Sequence, residues 1–237
     1  RYIRRQRQMC IRDRINIEPG NLKIGYLEDS SISVDEDVKE VMNSTIDLCQ
    51  KLGHSIESTK INFSSEEISL AIITIISSNV SYAVKSQSDQ TGRKVSNEYF
   101  ENVTLQMAEN GNNFSASDYL NAIKINHRLG QELEKMFDQY DVLLSPVLAS
   151  PPVKIGTIDM NTNDMKTYVE RLTKYSPFTG IFNQSGQPSM SVPLFRTKDN
   201  LPVGSMFSAA FGNENLLFSL AGQLAVSYTH LRAHETS

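Results

Sequence analysis

The sequence predicts an α/β fold, and three observations carry that reading. Short aliphatic runs alternate with long stretches of three- and four-residue apolar spacing, the first such group reads strand, helix, strand, and neither a repeat nor a low-complexity linker interrupts the 237 residues. One α/β domain follows as the simplest organisation.

Leu22 to Leu27 (LKIGYL) has the composition of a buried strand. Ser33 to Glu36 (SVDE) then shows the Ser-x-x-Glu spacing of a helix-capping box. Val38, Val41, Thr45, Leu48 and Leu52 continue at helical spacing until Gly53. Ser55 to Ile61 is the second strand, and a strand-helix-strand unit favours parallel pairing. Helices are predicted over Ser65 to Lys85, Asn97 to Glu109 and Ala116 to Gln139, the last capped by Ser115 to Asp118 (SASD). Asp141 to Pro146 is a strand ending at proline, and SMSVPLF and PVGSMFSAAF are two more around the turn TKDNLP. Asn213 to Leu224 closes as a helix with Leu216, Leu217, Leu220 and Leu224 in its stripe.

The two ends read differently from the middle. One codon choice for Met9 to Asp13 (MCIRD), read on the opposite strand, encodes Val-Ser-Tyr-Thr-His, which is Val226 to His230. This pairing resembles a transposase end sequence used in preparing DNA libraries. Residues 1–14 and 226–237 are therefore expected to be non-native, leaving 15–225 as the domain. The first fourteen residues carry a net +5 and the last twelve none, so the formal charge of −4 becomes −9 between them. With the basic arm set aside, no nucleic-acid partner is expected. Cys49 then stands alone, which excludes an internal disulfide, and no metal spacing occurs. Without a secretory signal or a long apolar run, the expectation is a soluble cytoplasmic protein.

Few residues offer chemistry. His127 falls at helical spacing with Ile123, His54 follows a helix stop and is expected to cap it or face solvent, and Cys49 reads as packing. Glu66 and Glu67 open a helix, where negative charge suits the dipole. Gly-x-Ser-x-Gly, Ser-x-x-Lys and phosphate-loop patterns are absent. The distinctive stretch is Ser176 to Phe195 (SPFTGIFNQSGQPSMSVPLF), which carries no charge yet is rich in Ser, Asn, Gln and Pro. Pro177, Pro188 and Pro193 would break a membrane span, so no membrane is expected there. A buried wall that retains hydrogen-bonding groups is what a small-molecule pocket requires.

That stretch resembles the C-terminal half of the amidase signature family: Pro177-Phe178-Thr179, then Asn183-x-Ser185-Gly186-x-Pro188-Ser189-x-Ser191-x-Pro193. Tyr140 to Pro152 is similar to the family's Tyr-Asp-x-Leu-Leu-Thr-Pro-Thr segment, with Ser145 for Thr. Leu201 to Leu224, including Gly204, is similar to its Gly-Leu-Pro-x-Gly-x-Gln segment and last helix, with Asn200 for Gly and Met206 for Gln. Met107 to Ile123 is closest to the branch of 6-aminohexanoate cyclic dimer hydrolase-like amidases.

The resemblance implies a mixed sheet with helices on both faces, here incomplete, and an amide-bond hydrolase using a Ser, cis-Ser, Lys triad. In the family that triad lies in the N-terminal half, so the resemblance implies no catalytic residue in this chain and no cofactor or metal. Phe178, Thr179, Phe182 and Asn183 are expected to line the site for a small-molecule amide. Gly186, Pro188, Ser189, Ser191, Pro193 and Gly204 are expected to shape the backbone behind them. A homodimer of the full-length protein is left open. The alternatives are a fragment of the tRNA-dependent amidotransferase A subunit and a non-catalytic binding or interaction module.

Overall fold

The computed structural model describes residues 14–28, 32–61 and 65–235, with side chains as far as 227 except that of residue 65. The expected non-native segment at the front lies outside the described residues apart from Arg14. Although the sequence shows no linker, the chain divides into two compact units. The first comprises the described residues up to 61, then 132–152, then 176 onward, and the second comprises the described residues to 131 and 153–175.

The first unit is built on a five-stranded mixed sheet of β1 (Lys23–Leu27), β2 (Ser55–Thr59), β3 (Val142–Pro146), β4 (Ser189–Arg196) and β5 (Pro202–Ala209), in the order β2-β1-β3-β5-β4. β1 runs parallel to β2 and β3, whereas β5 is antiparallel to β3 and β4. Successive strand residues face opposite sides, and β3 shows how two cores result. Val142 and Leu144 join a cluster with Ile24, Phe207, Val38, Met42 and Leu220, while Leu143 joins another with Tyr140, Phe178, Phe182 and Met206. The first cluster is covered by α1 (Glu36–Lys51) and α7 (Glu214–Glu235), so each face of the sheet carries a helical layer.

Helix α1 forms on the spacing read from the sequence, and Val38, Val41, Thr45 and Leu48 are all buried. Its cap differs from the expected Ser33. Asp35 is the N-cap, and its carboxylate accepts the Asp37 N–H at 3.0 Å. This shorter Asx contact satisfies an end donor without the reciprocal box. Helix α7 continues past Leu224 to Glu235, and Gly222 lets the chain at Ile15 approach so closely that a Cβ there would collide with the Ile15 carbonyl. Asn200, standing where the resemblance leads to Gly, adopts φ +62° in the β4–β5 turn, a conformation Asn tolerates.

The second unit is helical: α2 (Ser65–Thr91), α3 (Asn102–Gly111), the larger part of α4 (Ala116–Met136) and α5 (Met165–Tyr175). Ser115 and Asp118 cap α4 reciprocally, as the spacing implied: Ser115 N–H donates to Asp118 Oδ2 at 2.8 Å and Asp118 N–H to Ser115 Oγ at 3.2 Å. The Ser115 hydroxyl, donating to Asp118 Oδ2 at 2.7 Å, and then the Ser115 N–H hold the Asp118 carboxyl below its ordinary pKa. α3 starts at Asn102 rather than Asn97, and α5 has no counterpart in the sequence reading. α2 extends to Thr91 and is long and apolar enough, by length and composition alone, to cross a membrane. Interspersed Ser, Thr and Asn hid this run from the sequence reading. Those groups bond within the unit: Asn110 Nδ2 donates to Ser77 Oγ at 3.2 Å and Ser81 Oγ to Asn112 Oδ1 at 2.7 Å.

Candidate functional site

The uncharged stretch folds into a short helix, a glycine turn and an edge strand. Helix α6 (Thr179–Ser185) follows Pro177, and the Ser176 and Thr179 hydroxyls hydrogen-bond at 2.9 Å across its first turn. It stops at Gly186, whose φ of +84° is the left-handed cap conformation that favours glycine. The Gly186 N–H donates to the Phe182 carbonyl at 3.0 Å, and Pro188 prevents any continuation.

Four-residue spacing divides the expected wall residues into two pairs. Phe178 and Phe182 point inward, 8% and 5% exposed, into the cluster with Tyr140, Leu143, Ala149 and Met206. Thr179 and Asn183 occupy the adjoining face of α6, half-buried and exposed respectively. The structure therefore places the two aromatic rings as the support and the two polar groups as the presented surface. Met206, where the resemblance leads to Gln, is buried in the apolar cluster and supplies no hydrogen bond to this face.

Beside α6 the sheet presents a hydroxyl-rich surface. Ser189 and Ser191 alternate along β4 with Met190 and Val192, which pack on the opposite core. Ser189 Oγ and Ser208 Oγ share a 2.7 Å hydrogen bond, and the buried Ser145 Oγ donates to the Pro146 carbonyl at 3.0 Å. Among the described residues, none of these three hydroxyls bonds a histidine or lysine that could take its proton. Gly204 is required by a close approach, because a Cβ there would sit 2.6 Å from Ser191 Oγ and 2.8 Å from Val147 Cγ2. Pro193 lies at the β4 register shift between Val192 and Phe195, an edge position that tolerates a residue without an N–H.

Two polar residues went unnoticed in the sequence. Gln187 is 6% exposed and donates through Nε2 to Glu134 Oε2 at 3.3 Å. Glu134, near the end of α4, also accepts the Phe211 N–H at 3.2 Å. Its only sequence signal was a charge beside the buried Leu133, which the apolar stripe of α4 overshadows.

The titratable candidates lie elsewhere. His127 is exposed on α4, and Cys49 is buried with its thiol pushed up to about 12 by desolvation. His54 neither caps a helix nor faces solvent, and is 4% exposed. Its Nδ1 accepts the Leu22 N–H at 3.1 Å and its Nε2 lies 2.9 Å from Gln223 Oε1. Nδ1 can accept only if Nε2 carries the proton, so Nε2 donates to Gln223. Among the described residues, no three His, Cys, Asp or Glu side chains are placed to hold a metal ion.

Comparison with known proteins gives this geometry a context. The Amidase family model matches residues 4–218. The putative amidase AmiC of Mycobacterium leprae is 38% identical over 97 residues, covering 41% of this chain and 20% of that protein. The A chain of the glutamyl-tRNA(Gln) amidotransferase of Sulfurimonas denitrificans is 24% identical over 214 residues, covering 83% and 46%. The structure of 6-aminohexanoate cyclic dimer hydrolase complexed with substrate superposes with a TM-score of 0.78 at 20% identity, covering 92% of this chain and 47% of the other. The chain spans at most about half the length of these relatives.

Proposed function

Because this chain belongs to the amidase family, we propose that it forms the C-terminal part of an amide-bond hydrolase and supplies one wall of the site for a small-molecule amide. The observation that carries this reading is the division of labour on α6. Thr179 and Asn183 are presented on a face that carries no charge, and Phe178 and Phe182 anchor them to the sheet. Such a surface offers hydrogen bonds to an amide and apolar contact to its chain, which is what small-ligand walls supply.

The chemistry would come from the rest of the parent protein. A Ser, cis-Ser, Lys triad works by a lysine base acting through one serine to activate another. Among the described residues, the serines near α6 have no such base: Ser189 bonds Ser208, and Ser145 bonds a carbonyl. The 237-residue chain alone should therefore be inactive, while the full-length parent hydrolyses amides. The test is an assay of both on simple amides. Turnover by the chain that vanishes in Ser189→Ala or Ser191→Ala would overturn the reading.

A second reading has one observation in its favour, the similarity to a glutamyl-tRNA(Gln) amidotransferase chain over 83% of this one. Under it the parent would work only with partner proteins. A full-length parent that turns over a small amide unaided selects the first reading.

A further inference from the structure

We propose that Glu134 is a positioning residue for the candidate wall, a role that rests on the amide-site reading of α6. Its Oε2 accepts two donors from two different turns: the Gln187 side chain, between α6 and β4, and the Phe211 backbone N–H, between β5 and α7. Those turns are already joined by the Ala209 N–H donating to the Pro188 carbonyl at 3.0 Å. Glu134 adds a third fixed point from α4, a helix whose neighbouring Leu133 is fully buried.

The consequence for α6 is geometric. Gly186 has the backbone freedom to turn over a range of angles, and only its surroundings select one. The Phe182 carbonyl holds the Gly186 N–H, the Ala209 N–H holds the Pro188 carbonyl, and Glu134 holds the side chain of the residue between them. The direction in which α6 presents Thr179 and Asn183 is set by that turn. Hydrogen bonds to a carboxylate are stronger than neutral ones, which suits a clamp built from two long contacts.

The experiment uses the full-length parent carrying Glu134→Ala or Glu134→Gln, read by amide hydrogen exchange and by steady-state kinetics. Loss of the acceptor should speed exchange at the Phe211 N–H by about tenfold, the size expected for one lost hydrogen bond. It should raise KM for small amides while leaving kcat near the parental value, the pattern of lost ground-state positioning. Glu134→Gln keeps an acceptor oxygen and should restore both readings. Parental exchange in Glu134→Ala, a lower melting temperature with unchanged KM, or a Glu134→Gln variant no better than alanine would each overturn the proposal. If the parent hydrolyses no amide, the functional reading fails, and the exchange measurement alone decides whether Glu134 holds the turn.

Discussion

At the scale of single residues, His54 makes the most specific demand on its surroundings. Burial lowers its pKa below the ordinary 6.5, and the hydrogen bond to Gln223 only partly offsets that. Gln223 in turn donates to Glu18 at 3.1 Å, so the ring ties α7 to the segment that leads into β1. Protonating Nδ1 would cost the Leu22 bond. The unfolded chain binds this proton at higher pH than the folded one, so stability is fully present above about 6.5 and falls as the pH drops toward the lower folded value. A His54→Asn variant should be less stable at neutral pH, and its melting temperature should fall less steeply as the pH drops below neutral. Parallel pH profiles for the two proteins would remove His54 as the cause. The sequence displayed this histidine just after a helix stop, but its partners Leu22 and Gln223 lie far off along the chain, so only the fold reveals the bond.

Among the elements, those with a buried apolar stripe were legible and those without one were not. α1 was readable because Val38, Val41 and Leu48 repeat at its period and all three reach the core. α5 was not, because Tyr168 is its one buried residue while Val169 and Leu172 lie exposed. α6 stands between these cases: Gly186 and Pro188 marked its end, and the pairing of Thr179 with Asn183 followed from spacing. Spacing separates Phe178 and Phe182 from the polar pair, but which pair faces the core shows only in three dimensions. The separation decides how α6 should be probed. Phe182→Ala opens a cavity in the cluster with Leu143 and Met206 and should cost about 3–5 kcal/mol of stability. Asn183→Ala touches an exposed face and should leave stability within about 0.5 kcal/mol. In the full-length parent, Asn183→Ala should change KM or substrate preference, and parental kinetics on every accepted amide would make this face structural.

For the molecule as a whole, the sheet order β2-β1-β3-β5-β4 leaves β4 at an edge with Ser189, Ser191 and Pro193 exposed. An unpaired edge invites strand addition, and Pro193 with its register shift blunts only part of it. The isolated chain should therefore self-associate or melt broadly. A monomer with a sharp, reversible transition in ultracentrifugation and calorimetry would count against that. The same strand order governs how the chain can assemble in time. β3 finds one neighbour in β1, across a span such as the 118 residues between Lys23 and Asp141, and its other neighbour in β5, which follows the whole of α5 and α6. Contacts of such long range are slow to close. During synthesis, α2 and α3 can pair locally long before β5 emerges, while β3 waits with the edge that pairs β5 still open. The last eight-residue strand is thus the step that commits the sheet, and a ribosome stalled before Pro202 would hold a chain with folded helices and no finished core.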